Sequence, residues 1–198
     1  ANFVPVVGKF NIETDRRKLA LQRVTQLANY DILTGCANRR LFFELVKQGQ
    51  SRVRRHHTPA ALFYVDLDGF KQVNDRYGHG AGDMVLKEVA RRMQRAVREN
   101  DLLGRLGGDE FALLAEEIPD RETAVALGEK LIATTREPVT LLDGVATIGM
   151  SVGITLIDPE RGESVKGLIK KADEAMYEAK LAGKGVCRVW SEMTEEPV

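Results

Sequence analysis

The chain is poor in cysteine, has no long apolar run and carries no excess of either charge. Of its 198 residues only Cys36 and Cys187 are cysteines. They lie far apart and share no metal-ligand spacing, so they read as reduced, structural thiols of a cytosolic protein. No apolar run approaches the ~18 residues of a membrane span. Residues 1–10 lack the charged-then-apolar layout of a signal peptide. Lys plus Arg and Asp plus Glu each number 29, so the net charge is zero. That argues against a nucleic-acid binder relying on a basic field. Internal repeats and low-complexity tracts are also missing. What remains is a chain long enough for one well-buried domain plus a short appendage.

The stretch Arg105-Leu106-Gly107-Gly108-Asp109-Glu110-Phe111 organises the rest. Apolar runs flank it, Leu102-Leu103 before and Phe111-Ala112-Leu113-Leu114-Ala115 after. Two such runs joined through Gly-Gly predict a β-hairpin, because glycine accepts the φ angles of a tight turn. Two carboxylates at its tip, about 4 Å apart, would repel by ~4 kcal/mol at an effective dielectric near 20. A cation between them relieves that repulsion, and bare glycines let a bulky anion approach the backbone. The turn reads either as a metal–phosphate corner or as an acidic, solvated hairpin tip.

Residues 1–10 form an apolar piece with Pro5 and Gly8, readable as the last strand of something upstream. Thr14-Asp15 is expected to start a helix running to about Tyr30. Ala20, Val24 and Leu27 recur on it at spacings of four and three, a narrow seam that suits either self-association or packing on its own domain. Asp31-Ile32-Leu33-Thr34-Gly35 breaks that helix. Asn38 caps the next, from Arg39 to about Arg55, with Leu41, Phe42, Leu45 and Val46 as its apolar stripe. The run 60–65 suits a central strand buried on both faces. It ends in Asp66-Leu67-Asp68-Gly69-Phe70-Lys71. Aspartates at the end of a buried strand are costly to desolvate unless paired or bound to metal.

Asn74, Asp75 and a Gly-rich turn (Gly78, His79, Gly80, Gly82) lead to Asp83 and a helix with Val85, Val89, Met93 and Val97 on one side. His79 reads as a turn residue. After the hairpin, Asp120 opens a helix with Ala124, Leu127 and Leu131 inward. A second hairpin is expected from 139–142, the Asp143-Gly144 turn and 146–157, with Gly149 and Gly153 marking bulges or close approaches. Ser164 begins a last helix, which Lys180 and Lys184 end, and 186–190 is a closing strand. Together these predict an α+β domain, a central mixed and largely antiparallel sheet flanked by helices. The expected division is a linker or signalling helix over 1–30, the domain over 31–190 and a tail over 191–198.

These residues resemble the GGDEF domain of the diguanylate cyclase family over residues 31–189. The resemblance rests on several motifs in the family's order: Asp31-Ile32-Leu33-Thr34-Gly35 with Asn38-Arg39-Arg40; Asp66-Leu67-Asp68-Gly69-Phe70-Lys71 with Asn74-Asp75; Gly78-His79 with Gly82-Asp83; Gly107-Gly108-Asp109-Glu110-Phe111; and Ala175-Met176-Tyr177 with Lys180 and Gly183-Lys184. Gly185 stands where the family usually has asparagine, and Cys36-Ala37 where Leu-Pro is commoner.

The resemblance implies a palm-like fold and the condensation of two GTP into cyclic di-GMP with release of two pyrophosphates. Two magnesium ions per half-site are implied, manganese being an alternative, with Asp66, the Leu67 carbonyl, Asp109 and Glu110 as ligands. Asp68 points with Asp66 by strand alternation and is a further candidate. Glu110 is the candidate for assisting hydroxyl deprotonation, with Asp109, Asp66 and Lys71 in the catalytic set. The Gly69-Phe70-Lys71 backbone offers amide hydrogens to the triphosphate, Lys71, Lys180 and Lys184 supply positive charge, and Gly107 and Gly108 leave room for it. Lys180 and Lys184 also read as cations at a helix C-terminus. Asn74 and Asp83 resemble the guanine readers. Arg98 and Asp101 match the family's RxxD inhibitory site, where cyclic di-GMP binds as product and inhibitor, and also read as a pair fixing a helix end. The implied partners are a second copy, since one site presents one GTP, and an upstream sensor domain, with no nucleic acid and no membrane contact by these residues. The implied location is cytoplasmic, within a full-length protein that is either soluble or membrane-anchored. The alternative function is a catalytically silent domain that binds GTP or cyclic di-GMP and signals by contact.

Overall fold

A computed structural model of the chain describes residues 7–191. A long helix, α1 (Val7–Asn29), reaches the domain through a turn at 31–35. β1 (Ala37–Asn38) and α2 (Arg39–His56) follow, then β2 (Ala60–Asp68), α3 (Phe70–Tyr77) and α4 (His79–Ala96). The hairpin of β3 (Leu102–Gly107) and β4 (Glu110–Glu116) leads to α5 (Arg121–Ala133). A small hairpin, β5 (Val139–Leu141) and β6 (Gly144–Ala146), precedes β7 (Gly149–Ile157), α6 (Val165–Leu181) and β8 (Cys187–Val189).

Six strands form one sheet in the order β1-β3-β4-β2-β7-β8. The inner pairings are antiparallel, while β1 on β3 and β8 on β7 are parallel. This is the expected mixed, largely antiparallel α+β architecture. β2 lies at its centre and is buried on both faces, as its continuous apolar run requires. Phe63, Val65 and Leu67 pack with α3, α4 and α5 on one side. Leu62 and Tyr64 pack with α2 and α6 on the other. Each such fully buried side chain contributes about 1.5–3 kcal/mol.

Side-chain caps set three helix starts. Asn38 accepts from Leu41 N–H, Asp120 from Thr123 N–H and Ser164 from Gly167 N–H, as the sequence predicts. Gly153 is a close approach rather than a bulge. A Cβ there would lie 1.9 Å from the Ala172 carbonyl oxygen and 2.2 Å from the Met176 nitrogen, so α6 rests directly on β7.

Several local expectations are corrected. α1 begins at Val7, not at Thr14, so residues 7–10 are helical rather than strand. Residues 1–6 and the expected tail from 192 to 198 lie outside the described residues. The Gly-rich stretch after Asn74 is not a turn: only Gly78 separates α3 from α4, and Gly80, Gly82 and Asp83 lie inside α4. The second hairpin closes with β6 alone; β7 leaves it to join the main sheet beside β2. α6 ends at Leu181, so Lys184 lies beyond it. Among the described residues no helix is long and apolar enough to cross a membrane.

Candidate active site

The register of β2 on β4 sets Asp66 opposite Glu110. Leu67 N–H donates to the Asp109 carbonyl oxygen at 3.3 Å, which fixes the tip of the buried strand to the hairpin turn. Alternation puts Tyr64, Asp66 and Asp68 on one face, the face that α6 covers. From α6, Lys180 Nζ reaches Asp66 Oδ2 at 2.8 Å. Burial pushes the Asp66 carboxyl above its ordinary range; the neighbouring Asp109 and Asp68 carboxylates push the same way, against the pull of Lys180. Burial likewise raises the phenol of Tyr64, whose hydroxyl neighbours the Glu110 carboxylate.

Among the described residues no three carboxylate, imidazole or thiol groups close on one point as a ready-made metal cage. Asp66, Asp109 and Glu110 surround the strand tip, and Lys180 holds one Asp66 oxygen. The donor set nevertheless fits a hard divalent cation. It is all oxygen, and its like-charged neighbours are relieved by a cation. Magnesium also keeps several waters, so few protein ligands suffice.

α3 starts at Gly69, whose φ is 87° and which provides no side-chain cap. The first N–H groups of a helix have no partner within it, so those of Phe70 and Lys71 are available to an anion. The Phe70 ring is part of the core, leaving only its backbone for the site. Lys71 is exposed on the same turn. Asn74, on α3, has a buried Oδ1 with no hydrogen-bond partner. It lies against Gly82 of α4, where a Cβ would come within 2.0 Å of that oxygen. Asp83, the other expected base reader, is the next residue along α4 and is exposed. Gly107 and Gly108 face open space. Lys184 is exposed beyond α6 at φ 65°.

Sequence reasoning gave Arg105 no role, yet it ties the turn together. Its Nη1 donates to Asp31 Oδ1 and Oδ2 at 3.0 and 3.1 Å, and its Nε and Nη2 donate to the Gly108 carbonyl at 3.0 and 2.7 Å. Burial works to raise the Asp31 carboxyl, but hydrogen bonds from Thr34 and Arg105 outweigh it and hold it below its ordinary value. Asn38 binds the end of α1 as well, its Nδ2 donating to the Ala28 carbonyl at 2.9 Å. The turn carrying Asp109 is thus linked to the residue where α1 meets the domain. Nothing in the local pattern marks Arg105, since its partners are distant in sequence or backbone.

Arg98 and Asp101 occupy the turn between α4 and β3. Arg98 N–H donates to Asp101 Oδ2 at 2.8 Å, whereas the guanidinium is exposed, 3.8 Å from Glu117. Asp101 therefore fixes the backbone, and both residues line a cleft of about 250 Å³. Thr123 and Lys130 of α5 line the same cleft; the sequence reading missed both.

The chain belongs to the GGDEF family: the family described as diguanylate cyclase, GGDEF domain, matches residues 28–185. Diguanylate cyclase TpbB of Pseudomonas aeruginosa is 37% identical over 163 residues, 82% of this chain and 37% of TpbB. The bifunctional diguanylate cyclase/cyclic di-GMP phosphodiesterase MucR of the same species is 41% identical over 175 residues, 88% of this chain and 25% of MucR. The chain thus spans well under half the length of these relatives. Among solved structures, the coiled coil and GGDEF domain of DgcB from Caulobacter crescentus, in complex with c-di-GMP, matches with a TM-score of 0.83 at 25% identity, covering 92% of this chain and 96% of that one.

Proposed function

We propose that the domain condenses two GTP molecules into cyclic di-GMP, releasing two pyrophosphates, at the interface of a two-fold dimer. The observation that best supports this reading is the meeting of Asp66 and Asp109 at the tip of β2, with Lys180 on Asp66. The chemistry is attack of a ribose 3′-hydroxyl on an α-phosphate, so the protein's work is positioning and charge neutralisation. The Phe70 and Lys71 amides, with Lys71, Lys180 and Lys184, take the triphosphate, and Gly107 and Gly108 let it lie close to the backbone. Glu110 accepts the hydroxyl proton. Two divalent ions, magnesium or manganese, held by Asp66, the Leu67 carbonyl, Asp109 and Glu110, would neutralise the triphosphate and acidify the hydroxyl.

Asn74 and Asp83 read the base. Guanine presents N1–H and the N2 amine together, and a carboxylate accepts both. Adenine offers an acceptor at N1 and meets Asp83 with repulsion. Asp83→Ala is expected to weaken GTP binding by about 10²-fold or more, ATP binding being little changed, because the lost contact is specific to guanine. Titration of both nucleotides into the variant checks this; equal losses would refute the assignment.

One site presents one GTP, whereas the product joins two nucleotides symmetrically. Two domains must therefore face each other, which a two-fold dimer provides. α1 supports that role: Leu19, Ala20, Val24 and Leu27 are all exposed on it and find no cover on their own domain. It is also the route by which an upstream sensor would set how the two sites meet.

Arg98 and Asp101 form a product-inhibition site for cyclic di-GMP, with Lys130 as a second cationic contact. Arginine suits bidentate recognition of phosphate or guanine edges. Arg98→Ala is expected to raise the inhibition constant about tenfold or more with initial turnover unchanged, the loss of one charge-assisted contact. Progress curves with added product measure it, and unchanged inhibition would remove the assignment.

A further inference from the structure

We infer that Asp68, held by the buried Ser151, is a positioning residue that sets the basic loop at residues 183–185 against the end of β2, rather than an ion ligand. The inference rests on the nucleotide-site reading above and deepens it. Both Asp68 oxygens are already committed. The single Ser151 hydroxyl proton is shared between Oδ1 at 3.0 Å and Oδ2 at 2.8 Å, and Gly185 N–H donates to Oδ2 at 3.1 Å. Ser151 is fully buried on β7, opposite Asp66 in register, so packing fixes its direction. Gly149, opposite Asp68, leaves room for the carboxylate: a Cβ there would lie 3.1 Å from Asp68 Cβ and 3.3 Å from its Oδ2.

The loop that Asp68 holds is strained. Gly183, Lys184 and Gly185 follow one another at φ 112°, 65° and 63°. A lysine in that region persists only where its surroundings over-determine it. Two backbone N–H donors do so, one to a carbonyl and one to a side chain. Lys184 N–H donates to the Ala179 carbonyl at 3.2 Å, fixing the loop to α6. Gly185 N–H on Asp68 fixes it to β2. Lys180 is meanwhile tied to Asp66, two residues upstream on the same face. The two lysines are thereby anchored to the two aspartates of one strand end, Lys180 directly and Lys184 through its neighbour's amide. An ion on Oδ2 would compete with both the Ser151 hydroxyl and the Gly185 amide, and one chelated by both oxygens would have to displace the hydroxyl that faces them.

The test uses the 198-residue chain and an α,β-methylene GTP analogue, whose affinity is read by calorimetry in magnesium. The magnesium dependence of turnover is followed alongside. Asp68→Ala is expected to weaken analogue binding and raise KM for GTP about tenfold, with the magnesium half-saturation point within about twofold of the parent. Asp68→Asn keeps an oxygen that accepts from Gly185 N–H and is expected to restore affinity to within about threefold. In combination with Lys184→Ala, Asp68→Ala is expected to add no further loss, since both act through one contact. If Asp68→Ala does not fold, Ser151→Ala with the same Lys184→Ala cycle carries the comparison. A raised magnesium requirement in both Asp68→Asn and Asp68→Ala, or losses that add to that of Lys184→Ala, would overturn the inference. A parent chain that binds the analogue but makes no cyclic di-GMP ends the cyclase reading and leaves this comparison standing; a parent that does not bind the analogue ends both.

Discussion

Glu110→Gln is expected to slow cyclic di-GMP formation by about a thousandfold while GTP still binds, the range seen when a positioned proton acceptor is removed. Glu110 is the first residue of β4, opposite Asp66, where Leu67 N–H on the Asp109 carbonyl pins the central strand to the hairpin turn. Glutamine keeps the length and the planar head, so the pairing of β4 on β2 is retained. What it loses is the negative charge and the ability to take a proton. The triphosphate contacts on α3, Lys180 and Lys184 and the ion ligands Asp66 and Asp109 are all kept, so KM for GTP should move less than kcat. Initial rates over a GTP series make the separation. A variant within tenfold of the parent rate would show that Glu110 is not the acceptor.

Val24→Glu combined with Leu27→Glu is expected to abolish self-association at micromolar concentration and to lower specific activity about a hundredfold or more. Val24 and Leu27 are 63% and 59% exposed and lie on one stripe of α1. In a dimer they would be covered by their counterparts, each contributing about 1.5–3 kcal/mol of burial. Four such side chains outweigh the factor of ten per 1.4 kcal/mol many times over. Glutamates on both copies add like-charge repulsion. Because these positions touch little of their own domain, the variant should melt cooperatively, at the temperature of the parent diluted to its monomer, which separates assembly from folding. Sedimentation and activity measured across a protein dilution series check both halves. Unchanged self-association would remove α1 from the dimer.

Much of this was legible in the residues. The Gly107-Gly108 pair between apolar runs announced the β3–β4 hairpin, and the uninterrupted 60–65 run announced a strand buried on both faces. Asn38, Asp120 and Ser164 announced helix starts because a cap is a local event. What escaped was decided by tertiary contact. Gly80 and Gly82 look like a turn, but they lie within α4, and Gly82 is small because Asn74 and Phe70 press on it. β7 follows the β5–β6 hairpin in sequence yet joins β2, where Met150, Val152, Ile154 and Ile157 are buried in the sheet. Lys184 reads as the last turn of α6, whereas the helix ends at Leu181 and Gly183, at φ 112°, turns the chain away before Lys184. Arg105 and Lys130 carry no pattern of their own; each gains meaning only from what the fold sets beside it.

The central claim is that the acids gathered at the tip of β2 serve synthesis between two nucleotides. Incubating the chain with GTP and magnesium and separating the products by chromatography with mass detection tests it most directly. The account predicts cyclic di-GMP and pyrophosphate in a ratio of one to two, at a specific rate that rises with protein concentration. GTP bound but unchanged, or converted to a cyclic mononucleotide, would contradict it.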